Sequence, residues 1–235
     1  MATYRREVEK ALIATLAKYG FKDQDRNHIL FVKQNEITTN ELIVGFTSYG
    51  RKSYFSLYFS IVITFEPIRK LFATLTNQFQ ILDPNQTNFF LTTLNEYTSD
   101  VRFIFTGERS MEENCKEFEE KLQKYIFPFF DRYNNLDLYY ADLKDGKCQT
   151  KFLDLPFFNL PILHFMHHDY KNAMKAAKDY EKEILRRNVE RGNHLIEAED
   201  YAVFVKNLET LISKTKKTKT AKISNVLKRI FSRLG

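Results

Sequence analysis

Residues 53–65 read SYFSLYFSIVITF, with a large apolar side chain at every odd position from Phe55 to Phe65 (Phe55, Leu57, Phe59, Ile61, Ile63, Phe65). The even positions Tyr54, Ser56, Tyr58, Ser60 and Thr64 are polar or amphipathic, and Val62 is the one departure. Successive side chains on a strand point to opposite faces, so the pattern predicts one apolar face and one wettable face. Burying six such side chains contributes roughly 1.5–3 kcal/mol each before entropy is subtracted, which puts this strand at the centre of a core.

Shorter strand-like runs occupy 28–33 and 41–49, the second joined to 53–65 around Gly50, Arg51 and Lys52. Residues 89–97 fit a helix through Phe90, Leu94 and Tyr97, and a strand through Phe89, Leu91 and Thr93. We assign them as strand, paired through Thr98-Ser99-Asp100 with 101–106. Helical spacing appears first at Val8, Leu12, Leu16 and Tyr19, with Thr3 as the expected cap and Gly20 as the stop. Glu66-Pro67 opens a second helix with the stripe Ile68, Leu71, Phe72, Leu75 and Phe79. Ser110 and Glu113 form a capping box before Cys115, Phe118, Leu122, Tyr125, Ile126 and Phe129, and Pro128 is expected to disrupt that helix's end. A short helix over 137–143 stops at Asp145-Gly146.

Composition changes after Lys151. The stretch LDLPFFNLP (153–161) reads as a two-proline connector, and the chain is helical from Pro161. One helix runs to about Asn188 on the stripe Leu163, Met166, Tyr170, Ala173, Ala177, Tyr180 and Ile184. A turn at 191–193 leads to a helix carrying Tyr201, Phe204, Val205, Leu208 and Ile212, and a lysine-rich link at 213–222 precedes a short terminal helix. The expected fold class is α+β: an antiparallel sheet of about five strands with helices packed on one face, plus a C-terminal helical hairpin. The expected divisions are a sheet domain over 1–151, a helical region over 152–213 packed on it, and a basic tail over 214–235. No internal repeat is evident.

Charge alters this picture only at the C-terminus. The chain carries 36 Lys and Arg against 30 Asp and Glu, yet residues 210–235 hold eight basic residues and no acidic one. Removing those eight from 36 leaves 28 basic against 30 acidic, so the body is nearly neutral and the net charge of +6 resides in the tail. Lys214, Lys216, Lys217, Lys219, Lys222, Lys228, Arg229 and Arg233 therefore form a candidate site for nucleic acid or an anionic membrane surface. The linker lacks aromatics for base stacking. A second candidate is the wettable strand face, where Tyr49, Arg51, Lys52, Tyr54 and Tyr58 suit a protein partner, since tyrosine and arginine give large contact area at low entropy cost.

Catalytic patterns are sparse. His164, His167, His168 and Asp169 form the one histidine cluster, and on a continuous helix His164 and His168 would share a face. Lys171 and Lys175 would share it too and oppose a divalent ion, so no metal is expected. None of the seven glycines falls in a phosphate-loop or dinucleotide pattern, and no serine sits in a nucleophile elbow. No cofactor and no catalytic residue is assigned. Cys115 and Cys148 suggest neither a disulfide framework nor a metal site. The first residues lack a signal-peptide core, and no apolar run reaches membrane-span length, so a cytoplasmic location is the expectation.

The segments LAKYGF (16–21) and YIFPFFDRYNNLDLYYADL (125–143) resemble a family of uncharacterised bacterial α+β proteins over the first 150 residues. Small α+β proteins of this type occur as immunity proteins that neutralise a toxin. The resemblance implies no catalytic residues. Non-catalytic protein binding, with toxin immunity as its concrete form, is the leading expectation. Action through the basic tail on nucleic acid or membrane is the alternative, and an enzyme comes third.

Overall fold

Every odd-numbered side chain from Phe55 to Phe65 is at most 4% exposed, as the alternation requires. The computed structural model describes residues 2–24, 29–48, 50, 53–76, 91–93, 101–147, 156–191 and 198–231. Helix α1 (Ala2–Lys18) leads to β1 (Lys22–Asp23), β2 (Leu30–Gln34), β3 (Thr38–Thr47) and β4 (Tyr54–Phe65). Helix α2 (Glu66–Thr76), β5 (Leu91–Thr93), β6 (Phe103–Thr106), α3 (Met111–Lys121), α4 (Phe127–Tyr133) and α5 (Leu136–Lys144) follow. The C-terminal region supplies α6 (Pro156–Met166), α7 (Tyr170–Arg191) and α8 (Ala198–Phe231). The protein is thus α+β, and its six-stranded sheet runs β1-β2-β3-β4-β5, with β6 also on β4 and every pairing antiparallel.

Two compact units divide the chain: residues 1–69 with 85–155, and residues 70–84 with 156–235. In the first, helices cover the apolar face of β4 with one ring after another. Tyr4 of α1 stacks 6.1 Å from Phe55, Phe118 of α3 lies 6.0 Å from Phe59, and Tyr139 of α5 stacks 5.2 Å from Phe65. Such aromatic pairs add about 0.5–1.5 kcal/mol beyond the area they bury. The second unit centres on Phe158 of α6, whose ring lies 5.0 Å from both Phe72 and Phe204 and 5.1 Å from Tyr201. Ala173 and Ala177 on α7 are fully buried, and side chains this small let helices approach closely. Tyr201 donates a 2.6 Å hydrogen bond to the Phe157 carbonyl, and burial pushes its phenol far above the ordinary value, so it remains a donor.

Local signals set several boundaries as expected. Ser110 and Glu113 close the capping box of α3. At the end of α1, Gly20 takes φ 82° while its N–H bonds to the Ala17 carbonyl and the Phe21 N–H bonds to Leu16. Gly146 (φ 68°) ends α5 by the same hydrogen-bond pattern, with Lys147 bonding back to Asp142.

Other boundaries are corrected. Thr3 lies inside α1 rather than capping it. Pro128 does not end its helix: a π-helical turn over Leu122–Ile126, closed by the Phe127 N–H on the Leu122 carbonyl, carries the chain into α4. The wider turn relieves the proline ring's clash with the preceding turn while the missing N–H is tolerated. Residues 91–93 are strand, but β5 pairs with Ser60–Val62 of β4 and β6 with Tyr54–Leu57. They share the edge of β4 that β3 leaves open, instead of pairing with each other.

The C-terminal boundaries differ as well. Helix begins at Pro156 and contains Pro161, and the single helix expected up to about 188 is broken at His167–Asp169 into α6 and α7. His168 there has φ 61°, its N–H bonds to Phe165, and the Asp169 N–H bonds to His164. This is the same ending as at Gly20 and Gly146, with histidine where glycine is usual. Asp169 then caps α7 through Oδ1 on the Asn172 N–H. The lysine-rich link is also absent: 213–222 is part of the 34-residue α8.

Candidate functional site

The second face of β4 is partly open and partly closed. Tyr58 is 55% exposed, more than any other large apolar side chain among the described residues, while Val62 on the same face is fully buried. Tyr54, Ser56, Ser60 and Thr64 are half-buried. Register sets the neighbours: Tyr58 opposes Gly45, Ser60 opposes Ile43, and Ser56 lies between Thr47 and Ile104. Val62 opposes Glu41, whose carboxyl is pushed up by burial. The face therefore closes toward Val62 and opens toward Tyr58.

Tyr58 is held in place by its cross-strand partner. A Cβ built on Gly45 would meet the Tyr58 ring at 1.7 Å from Cζ and 2.2 Å from the hydroxyl oxygen, so the hydroxyl end of the ring occupies the space a side chain at 45 would take. Glycine is weak in a strand interior unless something approaches closely, and here it seats an aromatic ring. A tyrosine that is exposed yet packed over its cross-strand glycine has less rotamer entropy to lose than one free in solvent. Its neighbours Ser56, Ser60, Thr47, Ile43 and Ile104 are half-buried and mix hydroxyl with aliphatic surface.

Tyr49, Arg51 and Lys52, expected beside these tyrosines, lie outside the described residues. In the basic tail, Lys214 and Lys217 are exposed, and Lys216 is exposed with Nζ 5.9 Å above the Tyr170 ring. Lys219, Lys222, Lys228 and Arg229 are helical positions of α8, and Arg233 lies outside the described residues. The structure thus brings Tyr54 and Tyr58 together on one face and puts seven of the eight tail residues on one helix.

The histidines do not share a helix face, because the turn at His168 separates them. His164 is 8% exposed at the end of α6 with Nδ1 3.7 Å from Asp169, and His168 Nδ1 lies 3.1 Å from the Tyr170 hydroxyl. Among the described residues no three of His, Cys, Asp and Glu converge as metal ligands would. An open groove of about 340 Å³ beside His164 is bordered on α7 by Asn172, Lys175, Asp179 and Tyr180. Burial, and then Asp179, push the Tyr180 phenol up, so it favours its protonated form there. Cys115 is half-buried, and burial pushes its thiol up, away from the nucleophilic thiolate.

Compared with known protein families, curated proteins and solved structures, the chain matches none. The site consequently rests on its own geometry. Sequence reasoning had missed Gly45 and Ile104. A glycine within the run 41–49 was the available sign of close approach, whereas Ile104 reaches the face only through the register of β6 on β4.

Proposed function

We propose that this protein acts by binding a protein partner, without chemistry of its own, through the open half of the sheet face around Tyr58. The observation that carries this reading is the Tyr58 ring, 55% exposed and seated on Gly45. Prepaid ordering of a large amphipathic side chain is what interface hot spots use, and truncating one costs about 2 kcal/mol or more. The half-exposed hydroxyls of Ser56 and Ser60 would form the polar rim, and Ile43 and Ile104 the apolar contact. The concrete form of the reading is an immunity-type protein that neutralises a toxin, an analogy that rests on the α+β fold type alone.

The test begins with affinity purification from the source cells and continues with titration of the purified partner. Tyr58→Ala is expected to weaken binding at least about thirtyfold, the equivalent of a 2 kcal/mol hot spot. Ser56→Arg removes no internal contact of Tyr58 but adds bulk and charge on the same face, and should weaken binding by a similar factor at an unchanged melting temperature. Retention of full affinity by both variants would reject this surface.

A further inference from the structure

Helix α7 carries Lys171, Lys175, Lys178 and Lys182, and every one of them is exposed. Their spacing returns them to one side of the helix. At 100° per residue they fall within an arc of about 60°, and no other residue from 171 to 182 falls inside it. The opposite side is the packed one: Ala173 and Ala177 are fully buried and Ile184 is 2% exposed. The lysines therefore form an unbroken line along the solvent side of α7, about 16 Å long at 1.5 Å per residue.

Such a line works against the helix that carries it. Lys171 with Lys175, and Lys178 with Lys182, stand one turn apart, where like charges repel and opposite charges attract. The same helix uses the favourable arrangement at Glu183 and Arg186, which pair at 2.7 Å. Among the described residues none of the four lysines makes an ion pair or a hydrogen bond, and Asp179 and Glu181 lie outside the arc on either side. A polyanion laid along the line would remove the repulsion. Positive charge is added where α7 begins: Lys216 of α8 has Nζ 5.9 Å above the Tyr170 ring, and Lys214 and Lys217 on the same stretch of α8 are exposed. We propose that this side of α7 binds the phosphodiester backbone of a nucleic-acid duplex, without reading its sequence.

The chemistry of the line selects this occupant over its competitors. Lipid headgroups would draw the same charges, but an interfacial helix inserts an apolar side, and this arc holds only lysine. No helix among the described residues is long and apolar enough to cross a membrane. A protein partner is disfavoured because lysine is depleted at protein interfaces, where a strongly hydrated ammonium must give up water. A duplex asks for neither apolar insertion nor full desolvation. It presents about one phosphate charge per 1.7 Å of axis, roughly ten along the line, so each ammonium can meet a phosphate. No aromatic side chain shares the arc, so the bases of a single strand have no stacking surface there.

The test is a gel-shift titration of the full chain with two unrelated duplexes of about 20 base pairs, run beside flotation with vesicles of phosphatidylcholine and phosphatidylglycerol. With four lysines on phosphates, affinity should rise at least about a hundredfold as salt falls from about 200 to 50 mM. The two duplexes should differ by less than about tenfold, because backbone contacts carry no sequence information. Combining Lys171→Gln, Lys175→Gln, Lys178→Gln and Lys182→Gln should flatten the slope of log affinity against log salt by about 3 to 4. The melting temperature should stay or rise, since glutamine keeps the helix and ends the repulsion. Removing the same net charge elsewhere, by Lys10→Gln, Lys22→Gln, Lys116→Gln and Lys206→Gln at exposed positions, should change that slope by less than about 1. Failure of the wild type to shift either duplex overturns the proposal, and so does flotation with the vesicles in place of a shift. An α7 variant that binds like the control would assign the contact to the C-terminal lysines and overturns it too, as does a larger preference for one duplex. Tyr58→Ala should shift both duplexes normally, which separates this side of α7 from the proposed protein-binding face.

Discussion

Asn114 shows how one buried polar side chain can finish a sheet. It is fully buried on α3, its Nδ2 donates to the Thr106 carbonyl at 2.9 Å, and its Oδ1 accepts from the Thr106 N–H at 3.2 Å. Gly107 bonds to Ser53, so Thr106 turns its own backbone groups away from β4, and the Asn114 amide pairs with them as another strand would. Asn114→Ala would leave a buried donor and acceptor unmatched, at a cost of about 2–4 kcal/mol. Urea denaturation should find that loss, against about 0.5 kcal/mol or less for Glu112→Ala at an exposed position of the same helix. A loss below about 1 kcal/mol for Asn114→Ala would mean that water reaches this edge. Nothing in the local pattern singles out Asn114, because its role depends on β6 arriving beside it.

Helix endings are the element-scale lesson. Gly20 and Gly146 announce themselves, since glycine enters the left-handed region without a Cβ clash. His168 adopts the same conformation at φ 61° without that signal, and the apolar stripe of 161–188 reads straight through the break. His168→Gly gives opposite signs for the two arrangements. At a left-handed helix end it relieves strain and should stabilise by about 0.5–1 kcal/mol, whereas in a helix interior it would destabilise by about 1 kcal/mol. The shift in denaturant midpoint, at constant m-value, decides between them. Pro128 carries the same message in reverse: a strong local stop signal yielded to a π-helical turn that keeps Phe129 and Phe130 in the core.

At the scale of the whole molecule, two compact units and one charged extension divide the work. Truncation after Ser213 removes the eight basic residues of the tail and leaves 28 basic against 30 acidic. Such a protein should pass from cation- to anion-exchange retention at neutral pH. Its melting temperature should move by no more than about 1–2 °C, because Ile212 is the last buried residue described on α8. A much larger drop would show that the extension contributes to the fold. The second unit also takes in the end of α2, where Phe72 packs on Phe158 and the Leu75 carbonyl accepts a 2.7 Å bond from Asn207 Nδ2. A division drawn along the sequence does not capture that pairing.

Local physics was sufficient for what repeats within a few residues. The alternation of β4, the stripe Val8-Leu12-Leu16, the Ser110–Glu113 box and the glycine endings all follow from the geometry of one element. The pairing of Tyr54 and Tyr58 on one face follows from it too. What the alternation could not supply is which neighbour meets each face. Val62 and Tyr58 have the same parity on β4, yet one is fully buried and the other is 55% exposed. Parity is set by the backbone of a single strand, whereas burial is set by segments distant in sequence. The seating of Tyr58 on Gly45, the arrival of Ile104 beside Ser56, the closure of β6 by Asn114 and the sharing of one β4 edge by β5 and β6 are all contacts of that kind, and only the tertiary structure decided them.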